Sequence, residues 1–109
     1  FAQMLLNGAE LDGVRLLSPK TVELMTTDLV GDLREGGGFG LGFGVTRSLA
    51  ESGELDTVGK YYWGSFWYGT FFIDPVEDMI GISLANKHPG GGATLNELFQ
   101  ILAYQAVVD

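Results

Sequence analysis

Residues 60–85 read K-Y-Y-W-G-S-F-W-Y-G-T-F-F-I-D-P-V-E-D-M-I-G-I-S-L-A, and this stretch decides the fold. Aromatic residues crowd its first two apolar runs, 60–67 and 69–73, and side chains of that kind favour a pleated, half-buried surface. The third run, 79–85, sets Ile80, Ile82 and Leu84 against Gly81, Ser83 and Ala85, the two-residue period of a strand. Between the last two runs stands Asp74-Pro75-Val76-Glu77-Asp78, an acidic tight turn. So short a connection makes antiparallel neighbours, because a parallel crossover needs a dozen residues or more.

Upstream, Phe39, Leu41, Phe43 and Val45 alternate with Gly40, Gly42 and Gly44. The period predicts a strand over 39–46 with a bulky face and a bare one, the bare face admitting another backbone or a helix. These glycines match no phosphate-loop pattern and are read as packing residues. Segment 29–38 is a polar, glycine-rich loop and 48–59 a surface connection. Residues 1–7 read as a helix with Phe1, Met4 and Leu5 on one face, ending at Gly8. Residues 10–16 form a small hairpin about Asp12-Gly13, a type I′ pair. Ser18 is placed to cap a second helix with Pro19 at its first position, fading near Thr26–Asp28, and Leu17 and Val22 are spaced as a hydrophobic staple. Downstream, Thr94-Leu95-Asn96-Glu97 is a capping box opening a helix over 94–108. One stripe of that helix carries Leu95, Leu98, Phe99, Leu102 and Ala106, and a second carries Ile101, Tyr104 and Val108. The expected architecture is α+β, an antiparallel sheet from strands near 39–46, 60–67, 69–74 and 79–85 with flanking helices, in a single domain over 1–109.

The chain has 109 residues, 14 acidic against 6 basic side chains, a net charge of -8 and no cysteine. Scattered cations on an acidic chain argue against nucleic acid and anionic membrane as partners. Missing cysteines exclude disulfides, thiolate metal sites and a cysteine nucleophile, and a single histidine, His88, excludes sites built on two imidazoles. No apolar run reaches the roughly 18–20 residues of a membrane span. The chain opens at Phe1 without an initiator methionine, which reads as processing or as a piece of something longer. Nothing in the composition locates a compartment.

Three constellations invite a chemical reading. Ser65 and His88 with a carboxylate could be drawn as a triad, but any chain with one histidine and many acids permits the drawing, and a solvated loop histidine is the simpler reading. Asp74, Glu77 and Asp78 lack the spacing of a calcium loop, so no metal site is assigned. The aromatic group Tyr61, Tyr62, Trp63, Phe66, Trp67, Tyr68, Phe71 and Phe72 puts eight rings in twelve residues. One strand face cannot bury them all, so the group divides between core and a groove or interface.

The run from Trp63-Gly64-Ser65 to Ile73-Asp74-Pro75 resembles the third-motif strand and the strand after it in class C-type serine β-lactamases and their esterase relatives, which often read W-G-G, about eight residues, then I-D-P. Phe1-Ala2-Gln3-Met4-Leu5-Leu6-Asn7-Gly8, Leu11-Asp12-Gly13, Leu17-Ser18-Pro19, Met25, Phe39–Val45 and Asp78-Met79-Ile80-Gly81 fall in the same family order, so the resemblance covers essentially the whole chain. It implies the C-terminal portion of the β-lactamase/transpeptidase-like fold. Family chemistry is acyl transfer to the serine of an S-x-x-K motif, partnered by the tyrosine of Y-x-N. Neither motif occurs here: no serine has lysine three residues on, and no tyrosine has asparagine two residues on.

Only the third motif is present, with Ser65 in place of the usual second glycine. The resemblance therefore implies a substrate wall of Trp63, Gly64, Ser65 and Phe66, the Phe66 amide helping to hold an oxyanion, with no catalytic nucleophile, metal or cofactor. His88-Pro89-Gly90 has the H-x-G form of the same motif but follows the last strand and is set aside. Besides a separate partner chain supplying S-x-x-K and Y-x-N in trans, two readings result. One is a fragment of a serine hydrolase, inactive alone, whose partner is its missing N-terminal half. The other is a stand-alone binding or self-assembling module derived from that fold, a homo-oligomer.

Overall fold

A computed structural model describes residues 1–88 and 94–108, the Thr94 side chain excepted. Helix α1 (Ala2–Leu6) runs into a two-stranded hairpin, β1 (Glu10–Leu11) and β2 (Val14–Arg15), whose turn takes Asp12 and Gly13 to φ of 51° and 79° as the Asp-Gly pair demands. Helix α2 (Pro19–Met25) starts on Ser18, whose hydroxyl accepts the Thr21 amide at 3.1 Å. A five-stranded antiparallel sheet follows, in the order β3 (Gly38–Phe39), β4 (Gly44–Val45), β5 (Tyr61–Gly64), β6 (Thr70–Asp74) and β7 (Met79–Ser83). A short helix, α3 (Leu49–Ser52), lies within the 48–59 connection, and the last helix is α4 (Thr94–Gln105). The chain is thus α+β, an antiparallel sheet flanked by helices. No helix among the described residues is long and apolar enough to cross a membrane.

Strand register sorts the side chains. Val45, Tyr61, Ile73 and Ile80 share one row, and Trp63, Phe71 and Ile82 the next row on the same face. Against the first row pack Met4 and Leu5 of α1 and Val22 of α2, forming the core with Phe43 and Ala9; Leu17 joins its margin, as a staple residue should. The opposite face carries Tyr62, Phe72 and Gly81 in register, and α4 lies on it through Phe99 and Tyr104, whose rings stand 6.0 and 5.7 Å from Phe72.

Two expectations need correction. Residues 39–45 are not one strand but a tight hairpin: the Gly40 amide donates to the Phe43 carbonyl at 2.8 Å, and Gly42 turns at φ 93°. Alternation survives because the hairpin still sends Phe43 into the core. The bare positions do admit close neighbours, since a Cβ on Gly40 would stand 2.0 Å from the Met25 carbonyl oxygen and one on Gly44 would enter the Tyr62 ring.

The second correction concerns α4, which ends at Gln105 and turns its leucine stripe outward. Leu95, Leu98 and Leu102 are 50%, 50% and 60% exposed, while Phe99, Gln100 and Tyr104 face the sheet. The sheet face beneath holds two buried charged groups, Lys60 and Asp74. Gln100 and Tyr104, one helical turn apart, supply their polar partners, and that requirement sets the rotation of the helix. The capping box expected at Thr94 rests on a side chain outside the described residues. The Leu95 amide instead donates to the Tyr68 hydroxyl at 3.3 Å.

Candidate functional site

Strand β5 extends beyond its neighbour β4. The ladder to β4 stops at Tyr62, paired with Gly44, whereas the ladder to β6 continues through Trp63 and Gly64, paired with Phe71 and Thr70. The outer edge of Trp63–Gly64 is therefore left without a strand partner among the described residues. Beyond Gly64 the chain makes a tight loop: Ser65 exchanges backbone hydrogen bonds with Gly69 and Tyr68, and its hydroxyl accepts the Gly69 amide at 2.9 Å. Tyr68 sits at φ 69°, unusual for a bulky residue, and its hydroxyl reaches α4.

A groove of about 320 Å³ opens on the core face at this end of the sheet. Its floor is the row Trp63, Phe71 and Ile82 with Gly64, Gly69 and Thr70 beside it. Ser65 and Leu84 form the loop side, and Phe1 and Ala2 at the start of α1 the other. Phe1 is held there by rings at 6.2 Å (Phe71) and 6.5 Å (Phe43). A volume of this size is at the small end of ligand pockets.

Of the four residues assigned to a substrate wall, Trp63, Gly64 and Ser65 line the groove directly. Phe66, 69% exposed, does not line the groove, and its amide finds no acceptor among the described residues. That is the state in which a backbone N–H can bind an oxyanion. Ser65 is not poised as a nucleophile: its hydroxyl is engaged by Gly69, and no base shares a hydrogen bond with it among the described residues. His88 turns elsewhere, stacking on Phe66 at 3.8 Å with Nδ1 3.3 Å from the Phe66 carbonyl. Pro89 and Gly90, the rest of the H-x-G reading, lie outside the described residues.

Aromatic residues 61–72 divide as their number required. Tyr61 and Phe72 are buried, Tyr62, Tyr68 and Phe71 half-buried, and Trp63, Phe66 and Trp67 exposed. Asp74 is fully buried, and its turn role accounts for one oxygen only: Oδ1 accepts the Val76 and Glu77 amides at 2.9 and 3.0 Å, while Oδ2 accepts the Tyr104 hydroxyl at 2.6 Å. Burial pushes this carboxyl up, but hydrogen bonds from Thr57, Tyr104 and the two amides outweigh it and hold it below the usual value. Burial, and then the Asp74 carboxylate, push the Tyr104 phenol well up.

Sequence reasoning missed a second buried group beside it. Lys60, with its side chain 3% exposed, donates to Asp56 and Gln100 at 2.8 Å each and lies over the Tyr62, Phe72 and Tyr104 rings. Asp56 also accepts from the Thr46 and Ser52 hydroxyls and the Thr57 amide. A lysine opening an aromatic strand was the available signal. The cluster docks α4 and does not touch the groove.

Two curated proteins of Mycobacterium tuberculosis are similar to this chain: Protein Rv1367c of strain H37Rv and Uncharacterized protein MT1414 of strain CDC 1551. Each is 36% identical over 104 aligned residues, 82% of this chain and 26% of the relative. The chain spans about a quarter of the length of the curated relatives it matches. No family model matches it.

Proposed function

We propose that these residues form the substrate wall of a β-lactamase-like serine hydrolase of esterase type, the C-terminal fragment of its catalytic domain, with the nucleophile contributed by chain outside residues 1–109. The observation that carries this reading is the placement of Trp63-Gly64-Ser65, which runs past its neighbouring strand along an open groove, while the amide of the next residue, Phe66, has no acceptor among the described residues. In this reading the Phe66 amide would be the donor to the carbonyl oxygen of an acyl group lying beside Trp63 and Gly64. As the carbonyl carbon becomes tetrahedral, negative charge gathers on its oxygen, and a fixed N–H stabilises that charge without reorganising. Ser65 then serves the loop through Gly69 and attacks nothing. Relatives about four times longer agree with a segment that works alongside further chain.

A second reading, a self-assembling module, is favoured by the exposed stripe Leu95, Leu98 and Leu102 on α4. Either partner, the remaining part of a hydrolase or a second copy, would cover it.

The test is an assay of the isolated 109-residue chain with a chromogenic cephalosporin and a short-chain nitrophenyl ester, followed by intact mass. The expected result is no turnover above buffer and no adduct. An acyl adduct on Ser65 would overturn the assignment of the nucleophile to other chain.

A further inference from the structure

A second cavity lies between α4 and the sheet, and from its lining we infer a binding site for a primary ammonium group, as carried by a short alkylamine or a lysine side chain. It sits across the sheet from the groove beside Trp63 and does not depend on the substrate-wall reading.

The cavity holds about 180 Å³, room for a headgroup and a short alkyl chain. Three rings border it, Tyr62 and Phe72 from the sheet and Phe99 from α4, and ring faces attract cations. Two carboxylates reach it from different elements, Glu54 from the 48–59 connection and Glu97 from the first turn of α4. Neither joins an ion pair among the described residues, and Glu54 meets only the Gln100 side-chain amide, at 3.5 Å. Asn96 borders the same cavity, and its Oδ1 is buried with no donor among the described residues. An orphaned buried acceptor is costly, and an N–H brought by a ligand would remove that cost.

The charges select the same chemistry. No lysine or arginine lines the cavity, so an anion would face two carboxylates and gain no cation. The nearby cation, Lys60, is answered by Asp56 at 2.8 Å. Its Nζ, 5.1 and 5.7 Å from the Tyr62 and Phe72 ring centroids, shows that these rings already accept an ammonium. Acceptors on Glu54, Glu97 and Asn96 call for N–H donors, which a primary ammonium has and a quaternary one lacks. A neutral alcohol of the same size would leave both carboxylates unpaired.

The test titrates the nitrogen-labelled chain at low ionic strength with n-butylammonium, n-butanol, tetramethylammonium and butyrate. Binding is read from NMR shifts of the Thr70 and Phe72 backbone amides and the Asn96 and Gln100 side-chain amides. Saturable binding of n-butylammonium is expected, at least about tenfold tighter than any of the other three, with shifts centred on those groups. Glu54→Gln and Glu97→Gln, changes at exposed positions, are each expected to weaken it by about three- to tenfold without moving the melting temperature. An absence of saturation by n-butylammonium, equal binding of n-butanol or tetramethylammonium, or shifts that bypass Asn96 and Gln100 would overturn the inference. So would unchanged affinity in a folded variant carrying both substitutions. Nα-acetyl-lysine methylamide, titrated in parallel, separates the two sources: affinity equal to that of n-butylammonium assigns a lysine side chain, a weaker one a free amine, and either upholds the ammonium site.

Discussion

Lys60 and Asp74 are the residues on which the α4 side of the molecule turns. Lys60 and Asp56 are paired with 3% and 4% of their side chains exposed, and Asp56 accepts three further hydrogen bonds, from the Thr46 and Ser52 hydroxyls and the Thr57 amide. Lys60→Met would leave a buried carboxylate without its cation. The expected loss is about 3–5 kcal/mol, read by urea denaturation with a circular dichroism probe; a loss under about 1 kcal/mol would show the pair to be incidental. Asp74→Asn keeps an acceptor for the Val76 and Glu77 amides but weakens the Tyr104 bond, an expected cost of about 1–3 kcal/mol at neutral pH. The Asp74 carboxyl is held below its ordinary value in the folded chain. Its contribution is therefore complete above the unfolded value of about 3.9 and is lost as pH falls through the lower folded value. The gap in melting temperature between the native chain and Asp74→Asn should accordingly be constant from pH 7 to 5 and close at lower pH; a gap that widens on acidification would contradict the assigned direction. Asp74 was legible as a turn residue, which is half its role. The other half depends on a helix thirty residues later and on its rotation, which local spacing does not carry.

Between elements, contact distances at glycines separate packing from room. A Cβ on Gly81 would stand 2.1 Å from the Phe72 ring, the surface on which α4 rests, whereas one on Gly64 would meet only the Gly69 carbonyl at an ordinary 3.6 Å. Gly81→Ala is expected to destabilise by about 1–3 kcal/mol through overpacking, and Gly64→Ala to leave the melting temperature within about 2 °C while weakening ligand in the groove. Thermal melts of the two variants side by side check this; equal destabilisation would mean that Gly64 serves internal packing. The three strands over 60–85, their antiparallel order and the Asp-Gly hairpin were readable because turn chemistry and period act locally. Residues 39–45 misled because alternation of phenylalanine and glycine suits a tight hairpin as well as a strand. What decides is the Leu41 amide bonding the Met25 carbonyl at 2.9 Å, a partner outside the stretch. The leucine stripe of α4 misled for a related reason: apolar period fixes a helix but not which face meets a sheet that buries charge.

For the whole molecule, the exposed surfaces matter most. Leu95, Leu98 and Leu102 on α4, and Trp63, Phe66, Trp67, Ile82 and Leu84 about the groove, leave large apolar side chains in water. Such surfaces mark interaction sites. Light scattering behind size exclusion is expected to show a mass above 11.7 kDa at tens of micromolar, and a clean monomer would contradict self-association. Of the four consecutive residues proposed as a wall from the sequence, Trp63, Gly64 and Ser65 line the groove and Phe66 does not. The groove was not legible, since Phe1 lies about eighty residues from Ile82 and Leu84 in sequence and meets them only through sheet order and α1. The central claim is that these residues supply a wall and an oxyanion donor while the nucleophile lies elsewhere. The most direct measurement is peptide mapping of the acyl adduct after reaction with a nitrophenyl ester, on the isolated chain and on a chimera in which it replaces the matching quarter of Rv1367c. The account predicts an adduct in the chimera on a serine outside residues 1–109 and none on the isolated chain; an adduct at Ser65, or none on either protein, would contradict it.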